Sequence, residues 1–275
     1  MSRRCEKRIW ARSHGEIQYS EQRLVTLDPT SDLPVRRTGD AVEIAGDYQH
    51  RARSKGFVVQ RFWHAEKERM IREFSAPRRG ERVLDVGCGS GVITDVLASS
   101  GARTTGVDGN LRAIDYARRT FVRDGLDFRC ALVEDLGEAP GSVDRIYCLE
   151  VIEHLYEPQV HELLRQMHAL VKVGGTLTLT TPNFRGLWPA VELVLDTLRL
   201  VPHLAGDQHV SKFNRRSLRS ALERAGWKVE RLVTFSTFAP FLSVFGWKTA
   251  LWVAERETSW SLPFGNVLFT IAKKE

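Results

Sequence analysis

The chain has 275 residues, of which 43% are hydrophobic and 27% are charged, the composition of an ordinary folded protein. This length is enough for one large α/β domain or two small ones. No apolar run reaches the roughly 18 residues of a transmembrane helix, and no apolar stretch follows the basic start, so we expect no membrane span and no secretory signal. The four cysteines lie far apart without C-x-x-C spacing, so no zinc site is predicted and a cytoplasmic location is expected.

The net charge of +6 comes entirely from the N-terminal third of the chain. Residues 1–82 contain 18 Lys or Arg against 12 Asp or Glu, whereas residues 83–275 contain 22 of each. A basic segment of this kind can contact nucleic acid or an anionic membrane surface. Because the two signs are mixed along it, composition favours a solvated extension.

The first half of the chain predicts an arm followed by alternating strands and helices. Residues 1–45 lack periodicity and indicate a loosely ordered basic arm, and residues 56–74 have a helical pattern. Strands are predicted at 83–86, 104–107, 128–133, 143–149 and 176–181, and helices at 92–100, 111–124 and 156–171. This alternation favours a doubly wound, mostly parallel sheet with helices on both faces.

The order changes after residue 182. A helix at 187–200 is predicted in an insertion, and a helix at 217–225 and a strand at 228–235 follow it. Residues 236–264 are rich in aromatic side chains, and 265–272 form a last strand. The pattern therefore predicts a single α/β domain over 46–275 with seven strands and insertions at about 183–213 and 236–264.

Three glycines at alternate positions, Gly87, Gly89 and Gly91, lie between the first strand and the next helix. Glycine lets the backbone approach a ligand closely, and the helix start offers unpaired N–H donors. A dinucleotide turn has the spacing G-x-G-x-x-G, whereas position 92 here is valine. Asp85, two residues before the first glycine, would repel a pyrophosphate but attract the ammonium group of S-adenosylmethionine. The loop therefore favours S-adenosylmethionine over a nicotinamide cofactor. An oxidoreductase that uses a nicotinamide cofactor stays the alternative.

Acidic residues end the next two strands. Asp108 lies 17 residues after Gly91, where a carboxylate accepts hydrogen bonds from ribose hydroxyls. Glu134 and Asp135 follow the third strand, near the expected place of the adenine. Together with the glycine loop, these acids predict a complete cofactor site.

Residues 82–182 resemble the core of the class I (Rossmann-like) S-adenosylmethionine-dependent methyltransferases, with residues 85–91 (DVGCGSG) as their glycine motif. The resemblance implies that the glycine loop wraps the amino-acid part of the cofactor, that Asp108 holds the ribose and that the last strand is antiparallel. Many relatives have a lone Asp after the third strand. This chain has Glu134 and Asp135 instead, so either acid is the candidate adenine contact.

Glu150, Glu153 and His154 follow the fourth strand, at the edge where parallel sheets bind ligands. Two carboxylates and an imidazole within five residues can bind a divalent cation or act as general bases. His209, beyond the first insertion, is a fourth candidate ligand. The histidine after the fourth strand also occurs in methyltransferases without a metal, where it only hydrogen-bonds the loop, so both interpretations stay open.

This segment resembles two methyltransferase groups. The O-methyltransferases of ubiquinone biosynthesis share E-x-x-E-H here, a Gly–His–Lys–Phe block like residues 206–213, and a segment like 198–202. Small-RNA 2′-O-methyltransferases share residues 150–155 (EVIEHL) and 180–183 (TTPN). The resemblance implies Glu150, Glu153, His154 and His209 as metal ligands, and it implies that Leu149 packs on the cofactor.

The acids and the histidine favour an oxygen nucleophile, because a base or a metal lowers the pKa of a hydroxyl. The predicted function is in-line O-methylation of a small or lipid-like acceptor, with carbon and amine acceptors as open alternatives. The aromatic segment 236–264 is a candidate lid, apolar pocket or peripheral membrane contact. No single-strand-binding motif is visible, which argues against nucleic acid. An RNA 2′-O-methyltransferase and a non-catalytic S-adenosylmethionine-binding partner protein are the alternatives.

Overall fold

The computed structural model describes residues 46–187, 189, 209–260 and 262–275, with the backbone of two short strands, Thr26–Leu27 and Pro34–Val35. Those two strands pair antiparallel within the predicted arm. The rest of the arm and most of the predicted helix at 187–200 lie outside the described residues. The division into an arm and one domain with two insertions stays a prediction.

Seven strands form one sheet in the order β3-β2-β1-β4-β5-β7-β6. Strands β1 to β5 pair in parallel, and β7 lies antiparallel between β5 and β6, as the resemblance implied. The strands are β1 (Arg82–Val86), β2 (Arg103–Asp108), β3 (Leu126–Cys130), β4 (Val143–Leu149), β5 (Val171–Pro182), β6 (Lys228–Phe235) and β7 (Val267–Lys273).

Eight α-helices surround this sheet within the described residues. Side chains cap two of them: Asn110 accepts hydrogen bonds from the first turn of α4, and Asn214 does the same for α6. The helices are α1 (Tyr48–Lys55), α2 (Val58–Phe74), α3 (Val92–Ala98), α4 (Leu111–Thr120), α5 (Glu157–Leu170), α6 (Arg215–Arg224), α7 (Ala239–Leu242) and α8 (Trp247–Trp260). None of the described helices has the length and apolarity needed to cross a membrane.

The doubly wound, mostly parallel sheet is confirmed, and several element bounds differ from prediction. The third strand ends at Cys130 rather than residue 133, because the chain turns there into a short 3₁₀ helix, Val133–Asp135. Strand β5 begins at Val171 rather than at residue 176, so Gly174 and Gly175 lie inside it, beside a register irregularity. The aromatic segment 236–264 forms α7 and α8, which pack on α2 around Phe62.

Two buried acids hold α2, α7 and α8 together. Glu66 of α2 accepts a hydrogen bond of 2.5 Å from the Ser236 hydroxyl, and the Arg69 guanidinium lies 3.8 Å from its other oxygen. Glu257 of α8 accepts hydrogen bonds from the backbone N–H groups of Thr237, Phe238 and Ala239, at the start of α7. Burial raises the pKa of Glu66 to about 7.

We expect Glu66→Gln to flatten the dependence of stability on pH. The raised pKa means that the folded protein disfavours the ionised carboxylate, so wild-type stability falls as pH rises from about 4.5 to about 7. The loss is up to about 3 kcal/mol, and Glu66→Gln should recover most of it at pH 8, as measured by urea unfolding at pH 5 and pH 8. The exposed Glu255→Gln is the control and should behave as wild-type. An unchanged slope in Glu66→Gln would contradict this assignment.

Candidate active site

The glycine loop after β1 has a backbone that only glycine adopts readily. Gly87 and Gly89 have φ angles of 72° and 50°, in the left-handed region. A Cβ atom on Gly87 would lie 2.4 Å from Val151 Cγ2, and one on Gly89 would lie 2.3 Å from Gln49 Oε1. The loop is therefore enclosed between the segment after β4 and helix α1, with no room for a side chain.

Asp108, at the end of β2, binds the glycine loop directly. Its carboxylate accepts hydrogen bonds from the Gly89 N–H at 2.9 Å and the Asn110 N–H at 2.8 Å. Burial raises the pKa of Asp108, and these two N–H donors oppose the shift. Each carboxylate oxygen can accept a further hydrogen bond, which is what two ribose hydroxyls would need.

Asp85 packs against helix α3. Its carboxylate accepts a 2.7 Å hydrogen bond from the Thr94 hydroxyl of α3 and is buried between strand and helix. Burial raises its pKa to about 7. The sequence-based interpretation, in which Asp85 meets the cofactor's ammonium group, therefore has no direct geometry in its favour. Asp85 holds the start of α3 against β1.

A cavity opens at the carboxyl edge of the sheet and includes five of the predicted residues, Gly87, Gly89, Asp108, Glu150 and His154. The other lining residues are Gly46, Tyr48, Gln49, Val86, Ser90, Val107, Gly109, Asn110, Ala113, Ala131, Leu132, Val133, Val151 and Leu155.

Five predicted cofactor residues, Asp85 among them, are not among the described residues that line this cavity. Gly91 begins α3 with φ 82°. Glu134 and Asp135 lie in the 3₁₀ turn after β3, and residues 131–133 line the cavity in their place. Leu149 packs in a core cluster beside Tyr147. The roles of these five residues in cofactor binding stay predictions, because none of them lines the cavity.

Helix α1 covers the cavity, which the sequence did not indicate. The Gln49 side-chain oxygen accepts a hydrogen bond of 3.1 Å from the Ser90 N–H, and the His50 N–H donates to the Ser90 hydroxyl at 3.1 Å. The His50 ring nitrogen Nδ1 lies 2.6 Å from the Tyr116 hydroxyl. Only Ala52 is buried in this polar helix, so no apolar periodicity was available to predict its docking.

We expect Gln49→Ala to weaken S-adenosylhomocysteine binding about tenfold, because the variant loses one hydrogen bond to the glycine loop and one wall of the cavity. Calorimetric titration measures the effect. Gln166→Ala, in α5 and away from the cavity lining, is the matched control and should bind as wild-type. Wild-type affinity in Gln49→Ala would show that α1 does not contribute to cofactor binding.

Glu150 follows β4 with a φ of 57°, a conformation that a residue with a side chain rarely adopts. Its N–H donates to the Thr180 carbonyl at 3.0 Å, and the Thr180 hydroxyl donates to its carboxylate at 2.7 Å. These two contacts with β5 hold the turn. The strain is of order 1–3 kcal/mol and is typical of functional sites.

Glu153, His154 and His209 lie together. Each offers one ligand atom, and these three atoms lie within 4.8 Å of one another. The imidazole rings of His154 and His209 are 5.2 Å apart between centroids, although the residues are 55 positions apart in the sequence. Ser211 N–H donates to the Glu153 carbonyl at 3.1 Å and so ties the segment containing His209 to the site.

The Glu153 carboxyl is 1% exposed and accepts a hydrogen bond of 3.0 Å from the Thr181 hydroxyl. Burial raises its pKa well above the ordinary range, and the nearby charge of Glu150 adds to the shift. Two imidazoles and a carboxylate match the nitrogen and oxygen ligands of a divalent metal. Glu150, the fourth predicted ligand, is not in this group of three, and it lines the cavity together with His154.

Comparison with known proteins identifies the family of the chain. A family profile described as "Methyltransferase domain" matches residues 57–232, and the chain belongs to this family. The ubiquinone biosynthesis O-methyltransferase of Chromobacterium violaceum is 38% identical over 107 residues, which are 38% of this chain and 45% of that protein. The chain spans about half the length of the curated relatives it matches.

Solved methyltransferases share the fold. A S-adenosylmethionine-dependent methyltransferase from Archaeoglobus fulgidus superposes with a TM-score of 0.58 at 19% identity, over 82% of this chain and 99% of that chain. The geranyl diphosphate C-methyltransferase of Streptomyces coelicolor A3(2) gives a TM-score of 0.57 at 16% identity, over 88% and 89%. The chain therefore has the fold of the class I S-adenosylmethionine-dependent methyltransferases.

Proposed function

We propose that this methyltransferase transfers a methyl group to a hydroxyl oxygen of a small or lipid-like acceptor. The observation that carries the proposal is the place of His154. It lines the cofactor cavity after β4, and Glu153 and His209 lie against it. The curated relatives named as ubiquinone biosynthesis O-methyltransferases support the same chemistry.

The cavity fits S-adenosylmethionine. Positive φ angles and missing Cβ atoms let the loop at Gly87 and Gly89 approach a ligand, and Asp108 presents a carboxylate suited to ribose hydroxyls. Bound S-adenosylmethionine supplies an electrophilic methyl carbon on a positively charged sulfur. The leaving thioether needs no acid, so the protein's task is to align the acceptor, exclude water and remove one proton.

His154 is the proposed base. An acceptor hydroxyl beside its imidazole would give its proton to a ring nitrogen as the oxygen attacks the methyl carbon. Glu153, His154 and His209 would also hold a divalent metal, which would lower the pKa of a coordinated hydroxyl. In that case His154 would be a ligand, and another group or water would receive the proton.

The test is methyl transfer from radiolabelled S-adenosylmethionine to a panel of acceptors. The panel contains dihydroxybenzenes with and without a prenyl chain, their amine and thiol analogues, and a short RNA. The proposal predicts turnover with a hydroxyl acceptor and higher kcat/KM with the prenyl chain. Turnover confined to the amine analogue or the RNA would contradict it.

The same assay separates the two roles of His154. Dialysis against a chelator abolishes turnover if a metal activates the hydroxyl, and added Mg²⁺, Mn²⁺ or Zn²⁺ restores it. Full activity after dialysis assigns proton transfer to His154 alone. The binding of S-adenosylhomocysteine, measured in parallel, shows whether the chelator has damaged the cofactor site.

A further inference from the structure

Helices α7 and α8 carry large apolar side chains on the outside of the protein. Phe245, between the two helices, is 88% exposed, and Trp252 and Trp260 are 54% and 68% exposed. With the exposed Phe241 and Val244, these residues form what we call the aromatic surface. Exposed apolar groups concentrated in one segment of 20 residues indicate a contact surface rather than scattered surface side chains.

Cations alternate with aromatic rings along α8. Lys248, Trp252, Arg256 and Trp260 follow one another at intervals of four residues, which places neighbours on adjoining turns. The Arg256 guanidinium carbon lies 3.6 Å from the Trp252 ring centroid. Tryptophan with lysine and arginine is the combination found at the boundary between lipid and water.

Helix α2 brings a further cation to the aromatic surface. It contains four Lys or Arg against three Asp or Glu. Helix α2 packs on α7 and α8, and its Arg61 lies 6.0 Å from the Trp247 ring centroid. Of the two acids in the second half of α8, Glu255 is exposed and Glu257 is buried against α7.

The aromatic surface belongs to the edge of the sheet that carries the active site. Phe235, the last residue of β6, pairs with Val267, the first of β7, and Val267 also pairs with Pro182 at the end of β5. Strand β4 ends at this same edge, immediately before Glu150. The segment between β6 and β7, which contains the aromatic surface, therefore begins and ends at the edge of the sheet that carries the proposed methyl-transfer site.

We infer that the aromatic surface docks on an anionic lipid bilayer, with Phe245 entering the acyl boundary and Lys248 and Arg256 contacting headgroups. Lys248, Arg256 and the neighbouring Arg61 complement anionic headgroups. A protein partner covering the surface would leave Lys248 and Arg256 desolvated. An RNA strand could stack its bases on the aromatic rings, but it offers no apolar layer for Val244. The inference does not depend on which acceptor the enzyme methylates.

The test is sedimentation of the protein with vesicles of phosphatidylcholine alone or mixed with phosphatidylglycerol. We expect wild-type to bind the mixed vesicles, and Phe245→Ser to weaken this binding at least about tenfold. The double variant Lys248→Glu with Arg256→Glu should lose the preference for phosphatidylglycerol. Val122→Ser, at an equally exposed (88%) position outside the aromatic surface, is the control and should bind as wild-type.

Unchanged thermal stabilisation by S-adenosylhomocysteine shows that each variant is folded. The inference fails if wild-type sediments with neither vesicle, or if Phe245→Ser binds as wild-type. It also fails if light scattering shows a dimer that Phe245→Ser dissociates, or if the variants weaken binding of a single-stranded RNA instead of vesicles. The vesicle assay contains no methyl acceptor, so failure of the lipid-binding inference does not bear on the proposed O-methylation. Failure of the proposed O-methylation likewise does not bear on lipid binding.

Discussion

Replacing Asp108 by alanine is expected to lower the affinity for S-adenosylhomocysteine at least about 100-fold. The carboxylate holds the N–H groups of Gly89 and Asn110, and hydrogen bonds to a charged group contribute about 1.5–3 kcal/mol each. Asp108→Ala leaves the glycine loop without its acceptor and removes the proposed ribose contact. Calorimetric titration measures the loss directly.

Asp115→Ala is the matched control, because this aspartate lies on the exposed face of α4 and outside the cavity lining. It should bind S-adenosylhomocysteine as wild-type does. Asp108→Asn should be intermediate, since the amide oxygen keeps one acceptor without the charge. Wild-type affinity in Asp108→Ala would contradict the assignment of the cavity to the cofactor.

Replacing His154 by alanine should reduce kcat by about 10²–10⁴-fold, the contribution of a general base, and change S-adenosylhomocysteine affinity only a few-fold. In the proposed mechanism His154 deprotonates an acceptor hydroxyl, whereas Gly87, Gly89 and Asp108, which line the same cavity, hold the cofactor. Steady-state methyl transfer to the preferred acceptor of the panel measures kcat and KM separately.

His161→Ala, on the exposed side of α5, is the control for His154 and should keep wild-type kcat. A rise in KM alone for His154→Ala would indicate acceptor binding rather than chemistry. Wild-type kinetics in His154→Ala would leave the histidine with only a loop-orienting role, which the sequence left open. That outcome would remove the main support for O-methylation.

Local patterns predicted the central sheet well. The strands Val143–Leu149 and Lys228–Phe235 have the predicted bounds, because each follows a turn that contains glycine and carries β-branched and other apolar residues between its charged ones. The glycine loop was also predicted, since its conformation depends on residue type at Gly87 and Gly89 themselves. Information of this kind is contained within a few neighbouring residues.

The orientation of the acids could not be predicted in the same way. Asp85 turns to Thr94, nine residues later, because the first turn of α3 lies against β1. Glu134 and Asp135 lie outside the lining of the cavity, because the chain turns into a 3₁₀ helix after Cys130. Both outcomes depend on packing between elements, which periodicity along the sequence does not record.

The same limit applies to contacts over long sequence separations. The docking of α1 on the glycine loop depends on Gln49 and Ser90, 41 residues apart, in a helix with almost no apolar face. His209 was a candidate ligand because of its residue type and a resemblance to known methyltransferases, and no local pattern predicted its approach to His154. Neither arrangement leaves a pattern in one sequence.

The most direct test of O-methylation is NMR of the product formed from S-adenosylmethionine carrying a ¹³C-labelled methyl group. The acceptor would be the prenylated dihydroxybenzene, with His154→Ala as the comparison. The account predicts that the label appears as a methyl ether carbon with wild-type enzyme and is strongly reduced with the variant. A label bonded to a ring carbon, or an equal amount of ether with His154→Ala, would contradict it.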